Sequence, residues 1–311
     1  MPKLRISVVQ YLNTSPLVWG FTHGLLAGKY ELSFTVPSQC AEALRAGDVD
    51  IAIIPAIEYQ RIDDLVILPD LAIASKRRVR SLLLISKVPI AQVCSIALDR
   101  SSRSTQALTK ILCARHWQIA PRFGEMPPDL DEMLAQNDAA LLIGDPALRI
   151  SVSIESAART GVRGADGADV CDAATLGIAG GKLYVYDIVE QWRAMTGLSA
   201  VLAVWAARPA VATPEVVADF HASRAFGLLH LRELCDEAAA ELRLPAGDLE
   251  SYLTDNIDFT LDEENVAGLS RYFAEAAALK LAPTAKPVLL APGPKNVALE
   301  ASSAVLAKPR R

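Results

Sequence analysis

The stretch Ser95-Ile96-Ala97-Leu98-Asp99-Arg100-Ser101-Ser102-Arg103-Ser104-Thr105 decides the fold. Its first part reads as a short apolar strand. Its second part crowds Ser101, Ser102, Ser104 and Thr105 where that strand hands over to a helix, predicted from about Ser102 to Trp117. This strand-to-helix step opens a second alternating set, because residues 4–59 already hold a first. Leu4–Gln10, Glu31–Val36 and Asp50–Ile54 read as strands with short helices between and after them. Thr14 or Ser15 is placed to cap the first helix, with Pro16 at its first position, and Ser38 to cap the second, which Gly47 closes. Such alternation predicts a mainly parallel sheet with helices on both faces.

The rest of the chain extends both sets. Leu65–Ser75 and Val79–Ser86 are strands joined through the basic turn Lys76-Arg77-Arg78. After the serine turn come an extended piece at Pro121–Phe123, a helix at Pro128–Gln136 and a strand at Ala139–Ile143 that ends in Gly144-Asp145-Pro146. Residues 151–181 are rich in Gly and Asp and read as a loop insertion. Order returns with a strand at Leu183–Tyr186, a helix at Asp187–Met195 and a strand at Ala200–Ala207. Helices are predicted over 214–242, 247–255 and 262–280, and residues 283–311 read as a disordered tail. Two α/β sets imply two lobes: 1–87 with 205–282, and 88–204. A ligand cleft is expected between them, lined by the carboxyl ends of strands.

Composition narrows the function. The chain has 311 residues, 51% of them hydrophobic, enough for a large core. A formal charge of −5 without a long basic run argues against nucleic acid, and 6% aromatic residues leave little for base stacking. Cys40, Cys94, Cys113, Cys171 and Cys235 are odd in number and widely spaced, so they read as reduced, mostly buried thiols. His23, His116, His221 and His230 show no zinc-ligand spacing. With no signal-like or membrane-spanning apolar run, a cytoplasmic protein is expected.

Locally, the serine turn has two readings. One hydroxyl suffices for an ordinary helix cap. The same turn gathers free N–H groups and the positive end of a helix dipole, which hold a carboxylate or phosphate without any Lys.

Several segments together resemble a family. Tyr11-Leu12-Asn13-Thr14-Ser15-Pro16-Leu17 is similar to a YLNxxPL first loop. Asp50 to Tyr59, DIAIIPAIEY, resembles a D-[IL]-[AG]-L-I-P-x-x-E-Y block. Val79-Arg80-Ser81-Leu82 resembles V-x-S-[VL], and Leu98 to Ser104 resembles the L-D-x-x-S-R-[TS]-S block. Ala140 to Leu148 and the segment from Tyr186 to Trp205 continue the match. The chain is similar over about residues 4–280 to the chorismate dehydratases of the futalosine route to menaquinone. The 151–181 segment and the Pro-rich tail depart from that pattern.

The resemblance implies a two-lobed, type II periplasmic-binding-protein-like fold used as a cytoplasmic enzyme. It implies a hydro-lyase reaction without cofactor or metal: chorismate loses the C3 proton and the C4 hydroxyl, giving 3-[(1-carboxyvinyl)oxy]benzoate and water. The expected partner is chorismate alone, with no nucleic acid or membrane, and the protein is a monomer or homodimer. A 1,4-dihydroxy-6-naphthoate synthase of the same pathway, or a non-enzymatic anion-binding protein, are the alternatives.

Chorismate has two carboxylates, an enol ether and a hydroxyl, so its site needs donors at two places. Ser101, Ser102, Ser104 and Thr105 fit one carboxylate. Asn13 can hold the leaving hydroxyl or the other carboxylate, or can build an Asx-turn. The resemblance turns Ser81 to the cleft; a buried Ser in a strand otherwise bonds to backbone. Asn13 and Ser81 are the candidate catalytic residues. Arg80 alternates with Ser81 along the predicted strand and is assigned to solvent or to the lobe junction. Asp145 ends a strand where ligands sit, and either orients a donor or caps the next helix. No His or Lys falls in these motifs, so the expected base is the substrate's own enolpyruvyl carboxylate.

Overall fold

The computed structural model describes residues 3–157, 162–163, 167–283 and 285–293. The strands form two sheets. In the first, β1 (Arg5–Val9), β2 (Glu31–Thr35), β3 (Ile51–Pro55), β4 (Val66–Ser75) and β12 (Ala200–Ala207) lie in the order β2-β1-β3-β12-β4. In the second, β5 (Leu82–Ser86), β6 (Ser95–Asp99), β7 (Arg122–Met126), β8 (Ala139–Ile143), β9 (Val162–Arg163), β10 (Asp169–Asp172) and β11 (Lys182–Asp187) lie in the order β7-β6-β8-β5-β11-β10-β9. The strands Ile51-Ala52-Ile53-Ile54-Pro55 and Ala139-Ala140-Leu141-Leu142-Ile143 are buried at every position, as apolar runs covered on both faces must be.

The expected mainly parallel sheet is instead mixed. β2-β1-β3 and β7-β6-β8 are parallel, but β12 and β5 run against their neighbours. The reason is topological. The parallel strands end at the cleft, so a strand that arrives from the other lobe starts there. Leu82, the first residue of β5, pairs with Ile143, the last of β8; Ala200 of β12 pairs likewise with Ser75 of β4. The chain crosses between sheets at 76–81 and 188–199. The sheets therefore divide the chain ahead of β5 and ahead of β12, not at 87/88 and 204/205.

The helices follow the expected places with shorter bounds. α1 (Ser15–Thr22), α2 (Pro37–Ala46) and α3 (Ala56–Arg61) belong to the first set, and α4 (Ser104–Arg115) and α5 (Leu130–Gln136) to the second. Neither α1 nor α2 has a side-chain cap. A Pro in the first turn removes an orphan N–H instead, and the Ser38 N–H donates to Ser101 O (3.1 Å).

The 151–181 segment is not a structureless insertion. α6 (Gly144–Ala157) runs into it, and β10 pairs antiparallel with β11 and β9, extending the second sheet. After α7 (Ile188–Thr196) and β12, the predicted 214–242 helix is split at His230 into α8 (Pro214–Leu229) and α9 (Leu231–Leu242). α10 (Ala246–Ser251) passes into a π turn at Tyr252–Asn256, and α11 (Glu263–Ala278) follows. The tail is not wholly disordered either. Residues 285–293 dock on the open edge of β4: Leu290 bridges Ile67, Tyr59 Oη donates to Pro287 O (2.9 Å), and Ala291 is buried. Residues 294–311 lie outside the described residues.

All five cysteines are free, and Cys94 is exposed. Among the described residues no helix is long and apolar enough to cross a membrane, and no cluster of His, Cys, Asp and Glu could hold a metal.

Candidate active site

The carboxyl ends of β1, β6 and β8 meet at one narrow cavity of about 50 Å³, smaller than the ~300–1,000 Å³ usual for small-molecule sites, so the lobes must part to admit a ligand. Its polar wall is Tyr11, Asn13, Ser102, Ser104 and Thr105, and Ile73, Leu82 and Leu202 form much of the apolar remainder. Asn13 and Thr105 come from different lobes. The structure thus brings Asn13, Ser102, Ser104 and Thr105 to one cavity. Ser81, Ser101 and Asp145 lie just behind its wall.

The serine turn divides its hydroxyls among different tasks. Ser102 Oγ accepts from Thr105 N–H (3.2 Å), a cap at the start of α4. Ser104 Oγ accepts from Ile57 N–H of α3 (3.1 Å), and Tyr272 Oη donates to Ser104 O (2.9 Å), so this residue ties α4 to the first lobe. Ser101 Oγ donates to Asp99 Oδ1 (2.6 Å). The Thr105 hydroxyl, although 97% of the residue is shielded from solvent, bonds to no protein group among the described residues. It is a spare donor on the cavity wall, as are the protons of the Ser102 and Ser104 hydroxyls, which only accept in these bonds.

Ser101 has one hydroxyl proton and gives it to Asp99. The Tyr11 hydroxyl, 3.3 Å from Ser101 Oγ, must therefore be the donor in that pair. Asp99 is fully buried, and its Oδ2 has no hydrogen-bond partner among the described residues. Burial raises its pKa against the pull of the Ser101 donors. Burial also raises the pKa of Tyr11. The ring of Tyr11 packs on Gly144, whose φ is +65°; a Cβ there would come within 2.6 Å of the ring.

Asp145 follows that glycine in the first turn of α6. Its Oδ1 accepts from the Leu12 N–H of the first loop (3.1 Å), so it holds that loop in place. Burial pushes its carboxyl up to about 6, against the Leu12 donor and the nearby Arg149 charge.

Ser81 is fully buried, and Tyr252 Oη donates to its Oγ (2.8 Å). The Tyr252 hydroxyl also interacts with the Asn13 side chain. Ser81 and Arg80 precede β5 instead of alternating along it. Arg80 adopts φ +63°, and its N–H donates to the buried Asp187 (2.7 Å). Its guanidinium is not solvated: it is buried against Glu155 and Ser151, with Ser251 of α10 at 3.5 Å. Tyr11, Asp99 and Tyr252 were not singled out by sequence reasoning. Tyr11 and Asp99 sat inside quoted motifs; Tyr252, 171 residues from Ser81, carried no signal.

Residues 4–278 match the menaquinone biosynthesis family. The chain belongs to that family. It is 29% identical over 281 residues to the chorismate dehydratase of Thermus thermophilus, covering 89% of this chain and 96% of that protein. A crystal structure from Archaeoglobus fulgidus superposes with a TM-score of 0.67 at 19% identity, covering 90% of this chain and 98% of that one. The periplasmic aliphatic sulphonate binding protein of Escherichia coli superposes at 0.57 and 18%, covering 96% and 99%. These structures place the fold among periplasmic binding proteins. The family makes this chain an enzyme of menaquinone biosynthesis.

Proposed function

We propose that this protein is a chorismate dehydratase, a cytoplasmic hydro-lyase that needs no cofactor and forms 3-[(1-carboxyvinyl)oxy]benzoate and water. One observation carries the reading. Asn13 and Thr105 face one cavity from opposite lobes, and Tyr11 is the one titratable side chain on its wall. Such a wall can position and polarise a dianion, yet offers no ready base. The Thermus relative carries the dehydratase name, which favours this reading over the naphthoate synthase alternative.

In this reading the Thr105 hydroxyl and the first turn of α4 hold one substrate carboxylate. The Asn13 amide donates to the departing C4 hydroxyl. The enolpyruvyl carboxylate, pressed toward C3, takes the C3 proton. The C3–H electron pair becomes the new ring double bond, and hydroxide leaves from C4 as water with the proton that the enolpyruvyl carboxylate took from C3. Positioning and charge stabilisation are the protein's part. Ser81 and Tyr252 support Asn13 from behind.

The test is to incubate pure protein with chorismate and follow the ultraviolet change on aromatisation. Formation of the benzoate is expected; its absence rejects the function. A bound analogue lacking the enolpyruvyl carboxylate should stay unreacted, and its normal turnover rejects the substrate as base. Full activity in Asn13→Ala removes that residue from the site.

A further inference from the structure

A second hollow, of about 250 Å³, lies at the lobe junction and shares no lining residue with the active-site cavity. Four cations line it, Arg61, Arg100, Arg103 and Lys110, against the single carboxylate of Glu125. This is a costly arrangement in a chain whose net charge is −5. Two of the cations are partly neutralised from behind. The fully buried Glu58 takes Arg61 (2.7 Å) and Arg103 (3.6 Å), and Arg103 also meets Glu42 (2.8 Å). The other two make no ion pair among the described residues: Arg100 feels only the longer-range charge of the buried Asp99, and Lys110 rests over the Phe123 ring at 5.5 Å.

We infer that this hollow is a second anion site, which takes a phosphate dianion through Arg100, Arg103, Lys110 and Arg61. Guanidinium forks suit a tetrahedral oxyanion, and the wall has no aromatic ring to hold a base or sugar. Phosphate itself is the recognised group, whether free or at the end of a small metabolite. Arg61 comes from the first lobe and the other three cations from the second, so an anion here pulls the lobes together. The inference does not rest on the chemistry proposed for the active site.

The test is thermal unfolding of the full chain with inorganic phosphate at constant ionic strength, with chloride as the control. A saturable rise in Tm is expected. Arg100→Gln/Lys110→Gln should weaken the apparent affinity by at least roughly tenfold, with its Tm without phosphate and its turnover of chorismate unchanged. Asn13→Ala, altered only in the active site, should respond like the parent chain. Glycerol 3-phosphate binding tighter than inorganic phosphate points to a phosphorylated metabolite, and equal or weaker binding to the free ion. No rise with phosphate, an equal rise in the double variant, or loss of the response in Asn13→Ala overturns the inference.

Discussion

Gly144→Ala should injure both stability and activity, by a route the structure lets one separate into parts. The residue follows β8 and opens α6 at φ +65°, where an L side chain costs about 1–2 kcal/mol relative to glycine. Its new Cβ would meet Tyr11 Cε2, Cδ2 and Cγ at 2.6, 2.7 and 2.8 Å. Forcing extra carbon into a filled site costs about 1–3 kcal/mol more. The sum is about 2–5 kcal/mol. The ring cannot retreat freely, because its hydroxyl is held by Ser101 and Ser101 by Asp99. Any shift of the ring also deforms the cavity wall and lowers kcat/KM. Urea unfolding followed by far-ultraviolet circular dichroism reads the first effect, and chorismate turnover the second. Gly197→Ala is the control: φ there is +74°, with nothing within 4 Å of the added carbon, so only the same backbone cost of about 1–2 kcal/mol is expected. Repeating Gly144→Ala in a Tyr11→Ala background should recover most of the excess over that control. A Gly144→Ala variant no less stable than Gly197→Ala, with unchanged turnover, would refute the reasoning.

Other consequences follow from the committed and uncommitted groups. Thr105→Val keeps the shape of the side chain but removes the one hydroxyl on the wall that makes no bond to protein among the described residues. It should lower kcat/KM by about 10- to 100-fold, the worth of a bond to a charged group, with little change in the urea midpoint. Ser101→Ala should do the reverse: it strands Asp99, lowers stability by about 1–3 kcal/mol and changes kcat less. Tyr252→Phe leaves Ser81 without its donor and should cost about 1 kcal/mol in unfolding and more in kcat than in KM. Asp145 sets a pH dependence. Its carboxyl titrates at about 6 in the fold and near 3.8 in the open chain, so the folded state binds the extra proton. Its contribution to stability is full below about pH 4 and is lost as pH rises through 6, up to about 3 kcal/mol. Asp145→Asn should flatten that slope in unfolding measured from pH 4 to 7.

The strands were legible because their apolar runs exceed what a half-exposed strand carries. Ile51–Pro55, Leu82–Ser86 and Ala139–Ile143 stand buried from end to end. The direction of β5 and β12 was not legible, since it depends on which end of the sheet the chain enters. β10 was hidden because Asp169 and Asp172 mask a strand that is held by pairing with β11, not by apolar burial. Arg80 lies at the lobe junction, one of its two expected places, but φ +63° breaks the strand alternation from which its direction was argued. The serine turn, conspicuous as a cluster, did not announce how it divides its hydroxyls. That depends on Ile57 and Asp99, which present a donor and an acceptor to Ser104 and Ser101.

That division bears on how the enzyme opens. Around the cavity, groups on one lobe are satisfied by groups on the other. Ser38 N–H reaches Ser101 O, Ile57 N–H reaches Ser104 Oγ, Leu12 N–H reaches Asp145, and Tyr11 reaches Ser101. Each bond exchanges with water when the lobes part, at a net cost of about 0.5–1.5 kcal/mol. These bonds favour the closed arrangement, and each is weak enough to exchange with water as the lobes part. In the proposed binding mode, a dianion held by Asn13 on one side and Thr105 on the other would add its own bridge to that ring. Its binding energy would then go to closing the lobes around it, expelling water and holding its carboxylate against C3. The hydroxyls that seemed too many for a helix cap are what make the turn a cap and a lobe contact at once, and in the proposed binding mode a ligand site as well.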